Sequence, residues 1–193
     1  TQVKDADWIA RHTPDGARMT VTDVTSAWAV LGVFGPESRN IVAPLTDADL
    51  SNEAFPFGTL QEIDLGYARS IAVRRTYMGE LGWELYLPTE FALGAFDALW
   101  ESGAPRGLTP AGYHAMNSLR MEKAYRHWGD DIAEEDTPLH AGLSWGVAFD
   151  KPGGFIGHDA LVAQRETGVD RRLVQFRLDD PAPMLYHDEP VYR

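Results

Sequence analysis

Short apolar segments alternate with polar ones along the chain, in a pattern that predicts strands and helices in mixed order. Strands are predicted at 19–24, 28–34, 59–65, 70–76, 83–87, 144–149 and 172–178. Residues 28–34 are almost continuously apolar, which is typical of a strand in the middle of a sheet. Runs of strands and helices without strict β-α-β alternation indicate the α+β fold class.

Five helices are predicted from apolar spacing and from residues that start or stop helices. They cover 5–12, Pro36 to about residue 45, 89–103, 109–129 and 159–165, the last of which is stopped by Gly168. In the third, Thr89 is the expected cap, and Ala92, Ala95, Phe96 and Leu99 follow the spacing of one buried face. We therefore expect this helix to pack on the sheet.

Residues 74–88 are the most distinctive segment. The pattern predicts a strand up to Tyr77, a turn through Gly79 and Gly82, and a second strand from Trp83, which together form a hairpin. Within the second strand Glu84 is a carboxylate between apolar neighbours. An unpaired buried charge is costly, so a buried Glu84 needs a partner arginine or a ligand. The pattern equally allows an edge-strand Glu84 that faces water.

Composition limits the partners of the protein. The chain has 193 residues, 44% of them hydrophobic, and a formal net charge of −12. This charge argues against a nucleic-acid or anionic-membrane surface, and no apolar run reaches the roughly 20 residues that span a bilayer. The absence of cysteine excludes disulfides, thiolate catalysis and zinc–cysteine sites.

Several familiar catalytic and binding motifs are excluded by their context. Residues 142–146 match the nucleophile motif G-x-S-x-G, but a strand is predicted after Ser144 and not before it, the reverse of a nucleophile elbow. The histidines lack paired metal-ligand spacing, and the acidic run 130–136 lacks the spacing of a calcium loop. We expect no metal site, and the chain contains no dinucleotide fingerprint of glycines after a strand.

Three long motifs resemble the folate-binding aminomethyltransferase family, that of the glycine cleavage T-protein. They are YMGELGWELYL at 77–87, PAGYHAMNSLRMEKAYRHWGDD at 110–131 and TPLHAGL at 137–143. The chain is most similar to the tetrahydrofolate module at the C-terminal end of dimethylglycine and sarcosine dehydrogenases. The resemblance implies the α+β aminomethyltransferase fold, with antiparallel sheets and packed helices, and tetrahydrofolate as cofactor.

The same resemblance implies three folate-binding residues, Tyr77, Glu84 and Tyr125, with Glu84 as the anchor of the pterin ring. Their chemistry suits this ligand, because a flat pterin stacks on aromatic rings and its donor edge can give two hydrogen bonds to one carboxylate. Trp83 and Trp128 complete the aromatic group. Without the resemblance, these aromatic residues would simply be typical of a hydrophobic core.

Two departures from the family pattern limit what the resemblance implies. Met116 stands where glycine-cleavage members carry a ligand-contacting Arg, which puts the amino-acid or lipoyl chemistry of that branch in doubt. The family's catalytic Asp lies upstream of residue 1, and neither Asp5 nor Asp7 matches it, so the catalytic residue stays unknown. Arg120 and Glu122 keep their family places and are expected to form a structural pair.

The resemblance also predicts the domain organisation. Residues 1–50 are expected to be the C-terminal part of a first α+β subdomain, 51–136 a second, 137–170 a return to the first, and 171–193 the start of a C-terminal β-barrel. The strand pattern at 172–178 and a further start at 190–192 have no remaining sequence to pair with. We therefore expect an internal fragment of a longer polypeptide, cut before the barrel is complete.

We hypothesise that the chain is a one-carbon transfer module in which tetrahydrofolate captures the unit released by an attached flavin domain. FAD is expected only in that separate domain, and the fragment alone is expected to be inactive. One alternative is a folate-binding relative without transferase activity, and another is a folate-dependent demethylase of a different methylated compound. The expected location is the cytoplasm of a bacterium, or alternatively the mitochondrial matrix.

Overall fold

The computed structural model describes residues 1–185 and 189–190. It divides into two compact units, each with its own internal contacts. The first comprises Thr1–Thr76 and Glu80–Thr109, and the second comprises Tyr77–Gly79 and the described part of Pro110–Arg193. The two units are described separately below.

The first unit is a four-stranded antiparallel sheet with helices. Its elements are α1 (Gln2–His12), β1 (Trp28–Phe34), α2 (Ser38–Val42), β2 (Leu60–Leu65), β3 (Ala68–Val73), β4 (Gly82–Pro88) and α3 (Ala92–Gly103). The strand order is β1-β4-β3-β2, and all three pairings are antiparallel. The predicted α+β class is confirmed by this combination of antiparallel sheet and helices.

The core of this unit lies on one face of the sheet, where α2 and α3 pack. Strand β4 shows how the sequence positions it, because successive side chains of a strand point to opposite faces. Trp83, Leu85 and Leu87 are fully buried, whereas Glu84 and Tyr86 between them are half-buried. The alternation therefore assigns Glu84 to the face opposite the core.

The predicted central position of β1 is wrong. This strand has the predicted bounds but lies at the edge of the sheet, paired with β4 alone among the described residues. Trp28 and Val30 are accordingly 38% and 51% exposed. A continuous apolar run does not distinguish a strand buried on both faces from one whose apolar residues stay partly open to solvent.

The predicted hairpin exists, but its first strand is shorter than expected. β3 ends at Val73, which pairs with Glu84, and residues 74–81 form a loop. Tyr77 leaves the strand because its side chain packs within the second unit. Gly79 has φ of 72°, in the region that glycine adopts at no steric cost, so its predicted place in the turn is confirmed. Gly82, which was also predicted in the turn, is instead the first residue of β4.

Helix α3 confirms the predicted stop at Gly103 but corrects its start and its buried face. A 3-10 turn at Thr89–Phe91 precedes it, and the Thr89 hydroxyl donates to the carbonyl of Ser26 instead of capping the helix. Ala95 and Leu99 are buried, as expected. Phe96 is 46% exposed and stacks on Trp100, so its predicted place on the buried face is wrong.

The described part of the second unit contains two α-helices, α4 (Tyr113–Glu122) and α5 (His158–Thr167), joined by turns. The helix predicted to end at Gly168 is confirmed, because Gly168 is the C-terminal cap of α5. The one predicted over 109–129 is much shorter. It starts after Gly112, and the chain reverses at Ala124, whose φ of 55° is left-handed, where the amide of Tyr125 donates to the carbonyl of Arg120.

Three predicted strands are absent from the described residues. Residues 19–24 and 172–178 have no strand structure, and 144–149 begins with a 3-10 turn at Ser144–Gly146. A strand is stable only when a neighbour accepts and donates its backbone hydrogen bonds, and an apolar sequence pattern does not supply that neighbour. The expected strand start at 190–192 lies mostly outside the described residues.

Candidate functional site

Glu84 is held on β4 by a hydrogen bond from its own strand. The Tyr86 hydroxyl donates to Oε2 of Glu84 over 2.9 Å. Residues two apart on a strand share a face, so this contact follows directly from the strand geometry. Among the described residues Glu84 has no other hydrogen-bond donor, which leaves Oε1 able to accept from a ligand.

The environment of this pair is partly desolvated. Burial raises the pKa of the Tyr86 phenol, and its hydrogen bond to Glu84 and the charge of Glu84 raise the pKa further, while Arg75 opposes them. The phenol therefore keeps its proton and remains a donor at neutral pH. The arrangement fixes a half-buried carboxylate in one orientation.

In the second unit the structure brings Tyr77 and Tyr125 together. Their ring centroids are 6.2 Å apart and the ring planes are 24° from parallel. The Tyr77 hydroxyl donates to the carbonyl of Arg126 over 2.8 Å, which fixes the ring. Burial is the main cause that raises the pKa of Tyr77. Two oriented aromatic rings are thus available for stacking with a flat ligand.

A buried arginine holds the segment that carries Tyr125. Arg120 is 3% exposed and donates to Asp131, to the carbonyl of Tyr125 and to the side chain of Asn117. The Asp131 carboxylate also accepts the backbone amide of His127 over 2.8 Å. The expected pairing of Arg120 with Glu122 is therefore wrong, because Asp131 neutralises this buried guanidinium.

Not every residue of the predicted aromatic group belongs to the candidate site. Trp83 is completely buried in the core of the first unit, where Phe55 packs edge-on against it, so it has a structural role. Trp128 is 45% exposed in the second unit. Tyr86 was missed by sequence analysis, although its position two residues after Glu84 is a signal that could have identified it.

The remaining motifs do not form other recognisable sites. Ser144 opens a 3-10 turn, and the strand and helix of a nucleophile elbow do not flank it. Within residues 1–185 and 189–190, no three His, Asp or Glu side chains gather to hold a metal ion. No helix in the described part of the chain is long and apolar enough to cross a membrane.

Comparison with known proteins gives a consistent result. The sequence profile of the GCVT N-terminal domain matches residues 1–151. The chain is 45% identical to "4-methylaminobutanoate oxidase (formaldehyde-forming)" of Paenarthrobacter nicotinovorans over all of its length, and 41% identical to mitochondrial sarcosine dehydrogenase of Mus musculus over 87% of it. Aminomethyltransferase T of the glycine cleavage system of Bartonella henselae, a crystal structure, matches 87% of the chain with a TM-score of 0.70 and 27% identity.

The chain is much shorter than these proteins. It spans 23% of the oxidase and 18% of the sarcosine dehydrogenase, and 44% of the crystallised aminomethyltransferase chain. The similarity therefore applies to one part of each protein, and most of each relative has no counterpart in this chain.

Proposed function

Since the chain belongs to the family of the GCVT N-terminal domain, we propose that it is the tetrahydrofolate-binding one-carbon transfer module of a dimethylglycine or sarcosine dehydrogenase-like protein. The resemblance seen in the three motifs is confirmed by the family match and by the relatives. Aminomethyltransferases of this family depend on tetrahydrofolate.

The half-buried carboxylate of Glu84 is the observation that carries the proposal. It lies on a strand whose flanking residues form the core, yet it is not neutralised by an arginine or lysine ion pair among the described residues. Such a group is costly unless a ligand or solvent satisfies it. The donor edge of a pterin supplies hydrogen bonds of the required kind to Oε1, while Tyr86 occupies Oε2.

The other two proposed contacts are the rings of Tyr77 and Tyr125, which offer flat apolar faces. When bound, the reduced folate supplies the secondary amine that accepts the one-carbon unit. The residues of this chain bind and orient the ligand, a contribution that lowers the barrier by positioning. No catalytic residue is proposed on the basis of the family pattern. The partner is a flavin domain that oxidises an N-methylated amine in the same polypeptide.

A second candidate differs in the methyl donor. The chain is similar over its whole length to an oxidase whose name describes 4-methylaminobutanoate as substrate and formaldehyde as product. This supports a methylated amine other than a glycine derivative as the methyl donor. In both cases the folate-binding residues are the same, and the compartment is the bacterial cytoplasm or the mitochondrial matrix.

Titration of the chain with tetrahydrofolate, followed by tryptophan fluorescence or calorimetry, tests the proposal. We expect saturable binding to the wild-type chain and much weaker binding to Glu84→Gln. Glu101→Gln, an exposed carboxylate on α3, is the matched control and should bind as the wild type does. Absence of binding to the wild-type chain would contradict the proposal, whereas binding without transfer in the flavin-linked protein would indicate the non-catalytic alternative.

A further inference from the structure

Two glycines on the outer face of the first unit's sheet lie beneath one aromatic ring. Phe34 on β1 pairs with Gly82 on β4. Two residues further into the sheet, Gly32 pairs with Glu84. All four residues alternate with core residues of their strands, so they share the face opposite the core. A Cβ at either glycine would collide with the Phe34 ring, which therefore occupies space that two ordinary side chains would fill.

The collisions show how the ring lies. A Cβ at Gly82 would meet Cδ1 of Phe34, and a Cβ at Gly32 would meet Cε2, the ring atom opposite Cδ1. The ring thus extends from one glycine to the other and lies along the sheet instead of standing out from it. Glycine inside a strand often marks a place of close approach, and here the group that approaches is this ring. Phe34 is only half-buried, so part of the ring stays open to solvent.

This position places the ring beside Glu84. Residues directly opposite each other in an antiparallel pair have Cβ atoms about 4.5–5.5 Å apart. Glu84 is opposite Gly32, and the ring covers the place of the missing Gly32 Cβ, so the edge of the ring is a direct neighbour of the carboxylate side chain. On its other side Glu84 pairs with Val73, which is also half-buried. The carboxylate therefore lies between two apolar groups of the same sheet face.

These neighbours suit a flat ligand. Apolar groups lower the local dielectric, which strengthens a hydrogen bond donated to Oε1 of Glu84. A flat ring that donates this bond from its edge and lies along the sheet brings one of its faces towards the Phe34 ring. Aromatic rings prefer such offset stacked arrangements, with centroids about 4.5–7 Å apart. The first unit by itself thus offers a carboxylate for the edge of the ligand and an aromatic ring for its face.

We propose that Phe34 is a further folate-binding residue, whose ring stacks on the pterin that Glu84 anchors, an inference that rests on the proposed function. Gly32 and Gly82 have a role in this site because a side chain at either position would push the Phe34 ring out of its place along the sheet. The class of ligand that fits is a flat heterocycle with hydrogen-bond donors along one edge. Phe34 and the two glycines thereby select for a planar ring.

The test is an NMR titration of the chain, labelled in its phenylalanine rings, with tetrahydrofolate. The signals of Phe34 are identified by their absence from the spectrum of Phe34→Leu. We expect these signals to move as the ligand saturates the protein, because a stacked heterocycle changes the magnetic surroundings of the ring. The signals of Phe57, which is 68% exposed in the same unit, should stay in place.

Three variants measure the contribution of the ring to affinity. Phe34→Leu keeps an apolar side chain but has no flat face, and tetrahydrofolate should bind it roughly 3- to 10-fold more weakly than the wild type. Phe34→Tyr keeps the ring, and its affinity should lie within roughly twofold of the wild type. Phe57→Leu is the matched control and should bind as the wild type does.

The outcomes separate this inference from the proposed function. If tetrahydrofolate binds the wild-type chain but the Phe34 signals do not move, the stacking is wrong and folate binding stands. If Phe34→Leu and Phe34→Tyr lose affinity equally, Phe34 acts through the packing of the sheet and not through its ring face, and the inference is again wrong. If tetrahydrofolate does not bind the wild-type chain, the proposed function fails and the role of Phe34 fails with it.

Discussion

Tyr86 donates a hydrogen bond of 2.9 Å to Glu84, two residues before it on strand β4. Both side chains lie on the face opposite Trp83, Leu85 and the rest of the core, because side chains alternate along a strand. One oxygen of the carboxylate is thus fixed by the protein while the other can accept a ligand. This relationship gives Glu84 a defined orientation that the sequence motif alone does not reveal.

Replacement of Glu84 by Gln should weaken tetrahydrofolate binding roughly 10- to 150-fold, because hydrogen bonds to a charged group contribute about 1.5–3 kcal/mol. The amide keeps the shape and one acceptor oxygen, but it presents a donor where the pterin also presents one. Equilibrium titration with tetrahydrofolate measures the effect. In a flavin-linked protein, oxidation of the amine should continue and the one-carbon unit should be released as formaldehyde. Unchanged affinity would show that Glu84 is not the anchor.

Replacement of Tyr86 by Phe should change the stability of the protein at alkaline pH. The folded state raises the pKa of Tyr86 above its ordinary value of 10.0, mainly through burial. The stability linked to this phenol is therefore present in full below pH 10 and is lost as the pH rises through the folded-state pKa. Urea unfolding at about pH 8 and about pH 11 should show a smaller alkaline loss in Tyr86→Phe than in the wild type.

The fully exposed Tyr67, in the turn between β2 and β3, provides the control for this measurement. Tyr67→Phe should show the same alkaline loss as the wild type. Tyr77, whose pKa is also raised, remains in both variants, so part of the loss should persist. An identical loss in Tyr86→Phe and the wild type would contradict the assigned role of Tyr86.

Replacement of Asp131 by Asn should destabilise the second unit, because Arg120 would be left as a buried cation without its anionic partner. The expected loss is about 3 kcal/mol, the low end for a broken buried ion pair, since the Asp131 side chain is 26% exposed. Urea denaturation followed by circular dichroism measures it. Glu122→Gln, at an exposed position on α4, should change stability by less than about 0.5 kcal/mol. Equal losses of stability in the two variants would indicate that Arg120 pairs with Glu122 as well as with Asp131.

Two glycines should respond in opposite directions to replacement by alanine. A Cβ at Gly82 would lie 2.5 Å from the carbonyl oxygen of Val33 and would also collide with Phe34, so Gly82→Ala should cost about 1–3 kcal/mol. A Cβ at Gly94, inside α3, meets no atom within 4 Å, and Gly94→Ala should stabilise by about 0.5–1 kcal/mol. Thermal unfolding of both variants is the measurement, and a destabilised Gly94→Ala would be the unexpected result.

Local patterns predicted the elements whose stability depends on neighbours close in sequence. The two strands joined at Gly66 are confirmed, because alternation, a turn residue and a hairpin partner are all encoded within a few residues. The bounds of β1 are confirmed by its apolar run alone, although its partner β4 lies far away in the sequence. Helix α5 is confirmed for the same reason, since its glycine stop follows directly. The helix predicted over 109–129 failed because its end is set by Arg120, whose contacts with Asp131 and the carbonyl of Tyr125 hold the reversed chain.

In the candidate site, too, the sequence predicted the types of residue, whereas the contacts between them came from the structure. The motif identified Tyr77, Glu84 and Tyr125 by residue type, and the structure shows that Tyr77 and Tyr125 stack within one unit. Their role in folate binding stays a prediction, as does the division of the chain into subdomains. The contact between Tyr113 and His127 joins residues 14 apart, and no periodicity in the sequence indicates it.

The sequence by itself determined the family, the α+β class and the type of side chain available to a folate, since these depend on residue identity and on patterns within short segments. The tertiary structure alone decided that β1 lies at an edge, that Trp83 belongs to the core and that Asp131 neutralises Arg120. The physical reason is that burial, strand pairing and charge compensation depend on which distant segments meet. The identity of an apolar residue or a carboxylate is the same whether or not the fold places a partner beside it.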